Sequence, residues 1–401
     1  MDSRTRLLAA IKGKPDHVPL YCWMFGFSPP ESLRWGKNWY TMRLEHIHTL
    51  PYPWSIEDDF RRVDKLLSIG LDDILDVSVP WSVHPDVKIK DDKTHYPVLV
   101  REYETPAGKL RHAVRKTEDP EDGWVIQPDY VPLFEDYNIP RAVEHAFSDT
   151  DDIDKLRYLL CEPTKQQMRD FSERMSLIKD FSHRRGVMAQ GWSAFGMDGI
   201  VWLTGVGKAI SMAMEEPDVF QRLVDLMYDF DRLRTDIMLS VGGVDMIVQR
   251  GWYSSTDFWS PALFRKFVLP HLKELVDMAH QSGVLFAYVM TTGLMPMNDM
   301  LKESGIDLLY FIDPVQDNID INEFKQKSGN AFAVAGGINS GVTLKNGNPY
   351  DIREAVEKAI EVLGTDGRFI LSPVDALFPD TPIQSFEIMV EAWRKATHKF
   401  A

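Results

Sequence analysis

The stretch FILSPVDALFPDTPIQSF, Phe369 to Phe386, is an apolar run that stops at a carboxylate, crosses two prolines and restarts as a helix. A short apolar run bounded by turn residues reads as a buried strand, and Asp375 stands at its carboxyl end. Toward the N-terminus, comparable runs recur at 331–336, 306–312, 284–290, 244–250 and 186–192. Each adjoins an amphipathic helix pattern such as EEPDVFQRLVDLMYDFDRLRTDIMLS or PYDIREAVEKAIEVLG. Two further runs, VPLYCWMF at 18–25 and DDILDVSVP at 72–80, bring the strands to eight. Eight buried strands alternating with helices predict a (β/α)8 TIM barrel of the α/β class. A doubly wound sheet would open on a Gly-rich turn, and no G-x-G-x-x-G follows any of these runs.

One segment breaks the alternation. Residues 97–115 hold two β-rich runs around TPAG, a hairpin signal, and 124–150 is rich in Pro, Asp and aromatics without a period. The expectation is a single barrel domain over 1–401, with an insertion at about 81–160 covering the barrel mouth.

The charge balance, 45 Lys and Arg against 60 Asp and Glu, gives a net −15 and disfavours nucleic acid, which needs a clustered positive surface. Cys22 and Cys161 lack metal or redox spacing, and Cys22 inside the first strand reads as a small buried residue. No apolar run approaches ~18 residues, and the N-terminus is amphipathic, so the expectation is a cytoplasmic protein without a membrane segment. The histidines show no H-x-x-x-H or H-E-x-x-H spacing, and His183 and His271 read as solvated or core residues of helices.

In a barrel of this kind the chemistry sits at the carboxyl ends of the strands. That rule selects Trp23 and Phe25, Asp76 and Trp81, Trp192, Gln249, Arg250 and Trp252, Tyr288 and Met290, Asn339, and Asp375. Each has a plainer reading. Asp375 or Asp76 would cap a turn, Tyr288 would be a core tyrosine, Arg250 would pair with a loop carboxylate, and a tryptophan at a barrel mouth often just closes the core.

The ordered blocks SRTRLLAAIKGKPDHVPL, DDILDVSVP, FWSPALFRKFVLPHLKELVDMAHQSG, AGGIN and ILSPVDALFPDTPIQSF resemble the uroporphyrinogen decarboxylase superfamily over nearly the whole chain. That superfamily joins the decarboxylase to corrinoid-dependent methyltransferases, all on TIM barrels. Asp76 falls where the decarboxylase keeps its essential aspartate. The decarboxylase also carries an Arg-Gln-Ala-Gly-Arg-Tyr block after its first strand, whereas YCWMFGFSPPE here has no arginine. A tetrapyrrole with eight carboxylates would meet an aromatic wall, at a desolvation cost of roughly several kcal/mol. The thiol-methylating members hold zinc with a His-x-Cys pair and a later Cys, and the matching positions look like Tyr288, Met290 and Asp375. Zinc prefers thiolate and imidazole, so a zinc-activated thiol is not supported, and zinc at a site outside that motif stays open without being predicted.

The branch that remains is the first methyltransferase of O-demethylase systems. The resemblance implies transfer of a methyl group from a methoxylated aromatic compound to the Co(I) of a partner corrinoid protein. A D-x-H-x-x-G run is absent, so the cobamide or cobalamin is expected to arrive on that partner or free. Expelling a phenolate calls for a proton or a positive charge at the ether oxygen. Asp375 and Tyr288 are the expected acid pair, Arg250 the fixed charge, which with Gln249 replaces an acidic pair of relatives, and Asp76 a fourth catalytic candidate. Trp23, Phe25, Trp81, Trp192, Gln249, Trp252, Met290 and Asn339 are the expected substrate contacts. A decarboxylase acting on a smaller acid through Asp76 and Arg250, another methylated substrate, and a corrinoid-binding module without turnover stay open, as does a homodimer.

Overall fold

The computed structural model describes residues 1–24, 27, 29–34, 55–117, 128–136 and 138–397. Phe25 and residues 35–54 lie outside the described residues, as do 118–127, which include the start of the aperiodic stretch at 124–150. β1 (Ile74–Ser78) opens the main sheet. β2 (Lys88–Asp92), β3 (Val98–Thr105), β4 (Gly108–Arg115) and β5 (Ala142–Glu144) then form a separate antiparallel sheet in that order. β6 (Met188–Ala194), β7 (Met246–Gln249), β8 (Leu285–Val289), β9 (Leu308–Ile312), β10 (Ala333–Asn339) and β11 (Phe369–Val374) return to the main sheet. Its order is β1-β6-β7-β8-β9-β10-β11, and every pair is parallel.

These strands are buried along almost their whole length and mostly apolar, because both faces are covered. Helices such as Lys165–Arg185, Pro217–Val241 and Pro349–Leu363 bury their apolar stripes on the outer face. The inner face packs on itself in a second cluster that includes Met188, Val248, Ala287, Leu308 and Ile370. The sheet therefore curls around a filled interior.

The first expected strand is present in a reduced form. Leu20 bridges Leu371 of β11, Tyr21 bridges Asp72 just before β1, and both bridges are parallel. The Leu371 amide donates to the Pro19 carbonyl (2.9 Å), the Tyr21 amide to Leu371 (3.0 Å) and the Asp72 amide to Leu20 (3.0 Å). Segment 18–24 thus stands between the two edges of the seven-stranded sheet. It forms isolated bridges rather than a full ladder for a local reason: Pro19 has no N–H to give, and the Val18 carbonyl is taken by the Trp393 indole at 2.7 Å.

The expected hairpin is β3 and β4, which meet in register at Thr105 and Gly108 across Pro106 and Ala107. The Thr105 hydroxyl donates to the Gly108 carbonyl (2.7 Å) and accepts from the Ala107 amide (3.2 Å), which fixes the turn. β2 and β5 widen the hairpin into four strands.

One end of the curled sheet is plugged. Helix Ser3–Lys12, capped by Asp2, adds Leu7, Ala10 and Ile11 to the inner cluster. Arg4 pairs with Asp245 (2.6 Å) ahead of β7 and Arg6 with Asp72 (2.7 Å) ahead of β1, so this plug sits at the amino ends of the strands. The opposite end is left for chemistry.

Arg234, fully buried in helix Pro217–Val241, ties that second end together. Its guanidinium donates to the carbonyls of Ser193 (2.7 Å), Val79 (3.2 Å) and Trp192 (3.3 Å), at the carboxyl ends of β1 and β6. The ring of Phe195 lies 4.2 Å beneath it, and burial lowers its pKa to about 10. One turn earlier Asp231 accepts the amides of Phe195 (2.8 Å) and Gly196 (2.7 Å), and burial lifts its carboxyl to about 6. Arg234→Met should leave three carbonyls without donors and cost roughly 3–5 kcal/mol in a urea titration at unchanged slope. A loss within error of zero would show that water replaces the guanidinium.

Candidate active site

Strand alternation decides what reaches the interior at the open end. Asp76 on β1 lies in register with Gln190 on β6, and both side chains point inward. Gln190 donates to Asp76 Oδ1 at 2.6 Å, and the Trp192 indole donates to the same oxygen at 2.8 Å. On the far side Tyr310 of β9 donates its hydroxyl to Gln190 Oε1 at 3.0 Å. A carboxylate is thereby carried into an aromatic interior on charge-assisted hydrogen bonds, which offset its desolvation.

Above this layer four rings pack side by side. Trp23 lies nearly parallel to Trp192 (centroids 5.4 Å apart, planes 12°) and to Trp252 (6.0 Å, 19°), with Phe311 6.1 Å away. Trp192 and Trp252 are 6.1 Å apart with planes within 10°. The Trp23 Nε1–H is buried and meets no acceptor among the described residues. An indole donor without a partner in such a place is available to a bound ligand or water.

The rim carries the charge. Arg250, directly after β7, stacks its guanidinium on Trp252 (4.5 Å) and Trp202 (4.7 Å). It donates Nε to Asp198 at 3.2 Å and Nη2 to Asp136 at 2.7 Å. Burial opposes its charge, and the two carboxylates more than restore it, holding its pKa above the usual value. Asp198 is wholly buried at the start of helix Gly196–Thr204, accepts the Tyr253 amide (2.9 Å), and is raised to about 7, chiefly by burial.

Asp375 stands across the mouth, one residue past β11, and accepts the Trp252 indole N–H at 2.8 Å. Its φ of +69° is left-handed, a conformation that a non-glycine residue adopts at some cost and that recurs at functional turns. Burial raises its carboxyl to about 6; the negative charge of Asp136 adds to the rise, while the Trp252 bond and Arg250 oppose it. Asp313, at the end of β9, accepts Asn339 Nδ2 (2.7 Å) and the amides of Val315 (2.9 Å) and Gln316 (3.0 Å).

The sequence-predicted residues therefore separate into layers. Trp23, Asp76, Trp192, Arg250, Trp252 and Asp375 converge on the open end. Tyr288, Met290 and Gln249 do not, because they point outward into the helix layer. The Tyr288 hydroxyl meets Ser254 Oγ at 2.6 Å, and since Ser254 donates to the Gly251 carbonyl (2.6 Å), Tyr288 is the donor between them. Burial keeps this phenol far above its ordinary range. Its role here is a buttress for the turn that carries Arg250 and Trp252. Gly251 is required there, since a Cβ would come within 2.5 Å of the Val289 carbonyl and 2.7 Å of the Tyr288 ring.

Trp81 packs in a neighbouring aromatic cluster against Phe134, Phe195 and Phe230, each about 6 Å away. Asn339 spends its amide on Asp313 and caps the turn at Val342. Phe25 lies outside the described residues. Tyr288 and Met290 thus fail to converge with Asp375, and these three residues do not fit a zinc ion. Gln190, Tyr310, Asp136, Asp198 and Trp202 enter the site from outside the predicted set; of these, only Gln190 carried a signal, as a polar residue within a buried strand.

The raised carboxyl of Asp375 has a measurable consequence. A folded-state pKa near 6 means that the native protein loses stability as pH climbs from about 4 through 6, because ionisation is disfavoured inside. Asp375→Asn removes that penalty and keeps an oxygen for Trp252. The variant should match wild type at pH 4 and exceed it at pH 8 by roughly 1–2 kcal/mol, discounted for partial exposure. Equal stability at pH 8 would refute the burial argument.

The sequence profile of the uroporphyrinogen decarboxylase (URO-D) family matches residues 133–396. The chain is 24% identical over 268 residues to the methylcobamide:CoM methyltransferase MtbA of Methanosarcina acetivorans, covering 63% of this chain and 70% of that protein. It is 23% identical over 191 residues to a uroporphyrinogen decarboxylase of Microcystis aeruginosa, covering 47% of this chain and 51% of that protein. A solved methyltransferase from Methanosarcina mazei shares the fold over 100% of both chains, with a TM-score of 0.59 and 18% identity. With more than half its length matched to that profile, the chain belongs to the uroporphyrinogen decarboxylase (URO-D) family.

Proposed function

We propose that this protein is a corrinoid-dependent methyltransferase that cleaves the methyl ether of a methoxylated aromatic compound. The methyl group passes to the Co(I) of a corrinoid protein. Segment 18–24 then acts as the eighth strand of a (β/α)8 barrel over 1–401, and the insertion at 81–160 as its cover. The observation that carries the reading is Asp375: a carboxyl raised to about 6, bonded to Trp252 on the edge of an indole stack. A flat aromatic substrate suits such a wall, and a phenolate leaving group needs such a proton.

A reduced corrinoid brought by the partner would supply the Co(I) nucleophile that takes the methyl group, leaving the bond's electron pair on the ether oxygen. Asp375 gives its proton to that oxygen and is left as a carboxylate that Trp252 and Arg250 stabilise. Trp23, Trp192 and Trp252 hold the ring and exclude water. The orphan Trp23 N–H and Asp76 orient polar substituents. Arg250 is already neutralised by Asp136 and Asp198, so it offers little to a polycarboxylate, which argues against a porphyrinogen substrate.

Anaerobic incubation with reduced cobalamin or a reduced corrinoid protein and a panel of methoxyphenols should form methylcobalamin, read by absorbance. Asp375→Asn should slow the transfer roughly 100-fold or more, the usual worth of a general acid. Folded protein that transfers no methyl group from any member of the panel would overturn the reading. Release of carbon dioxide from a small aromatic acid would then favour a decarboxylase built on Asp76.

A further inference from the structure

We infer that Asp136, contributed by the insertion, is a positioning residue for Asp375: gripped by Arg250 and Trp202, it fastens the insertion over the mouth and sets the charge around the acid. This rests on the reading of Asp375 as proton donor.

The geometry is specific. The side chain of Asp136 is 52% exposed, yet both of its oxygens have dedicated donors from different elements. Oδ2 takes Arg250 Nη2 at 2.7 Å and Oδ1 takes the Trp202 indole at 2.9 Å. Arg250 and Trp202 are themselves buried and stacked on each other. A surface carboxylate is rarely held from two sides in this way, since exposed ion pairs alone contribute little. The contact continues inward without a gap: Arg250 lies on the face of Trp252, and Trp252 donates to Asp375.

The charge count gives the contact a purpose. Asp136 adds one negative charge to the group that Arg250 and Asp198 form beneath the mouth. The groups facing Asp375 are then Asp136 from the insertion, Arg250 with Asp198 behind it, Asp313 from the end of β9 and the phenol of Tyr253. An added negative charge favours the protonated carboxyl. The contact that holds the insertion thus also sets the acid, and loss of the Asp136 charge returns Asp375 toward the carboxylate.

The test uses the full chain labelled with fluorotryptophan, whose Trp252 resonance is identified by its loss in Trp252→Phe. Because the Trp252 N–H bonds Asp375, that resonance should titrate near pH 6 in wild type and not titrate there in Asp375→Asn. Asp136→Asn keeps an oxygen for Trp202 but drops the charge, and should move the midpoint down by roughly half a pH unit or more. Asp136→Glu should restore it, and Asp136→Ser, which loses both contacts, should reproduce the fall. An unchanged midpoint in folded Asp136→Asn and Asp136→Ser overturns the inference. The readout needs no turnover: a shifted midpoint without methyl transfer would sink the proposed reaction and keep the role of Asp136, and active enzyme with an unmoved midpoint would do the reverse.

Discussion

Parallel pairing sets the terms for everything else in this protein. A parallel ladder puts every carboxyl end on the same side, and here the bonds from Pro19, Leu20 and Tyr21 to both sheet edges bring those ends into a ring. The helix Ser3–Lys12 fills the other side. Side chains in the carboxyl halves of the strands or just past them then have one place to meet, and Asp76, Trp192, Arg250, Trp252 and Asp375 meet there. Arg234 keeps the ring in shape by holding three carbonyls at the ends of β1 and β6.

The mouth is acidic and aromatic, and its electrostatics follow from burial. Asp198 and Asp375 both sit where ionisation is disfavoured, and Arg250 is shared between Asp198 and Asp136. Among the described residues these carboxyls share one cation, and burial keeps protons on some of them near pH 6–7, which is the condition a proton donor needs. Tyr288, removed from the mouth, still matters to it, because the turn bearing Arg250 and Trp252 rests on its hydroxyl through Ser254.

Much of the fold was legible in the sequence, since strands covered on both faces are mostly apolar and are bounded by turn residues. That same property hid the side chains' directions. In a half-buried strand the polar residues mark the outer face, but Leu285–Val289 is apolar at every position save a tyrosine, so nothing distinguishes Tyr288 from its inward neighbours Ala287 and Val289. Gln249 and Met290 were misplaced for the same reason. Asp375 could be read because it ends a strand at a turn. Asp136 and Asp198 could not: one lies in an aperiodic loop and the other at a helix start, and they meet Arg250 from 114 and 52 residues away in the chain.

The mouth keeps the proton on Asp375 up to about pH 6, well above the ordinary carboxyl range. Infrared difference spectra of wild type and Asp375→Asn, taken across a pH titration, test it without reference to any substrate. The account predicts a carboxylic acid carbonyl band that fades with a midpoint near 6 in wild type and is missing from the variant. If the two proteins give the same acid bands above pH 5, Asp375 is an ordinary carboxylate and the assignment of the proton donor is wrong.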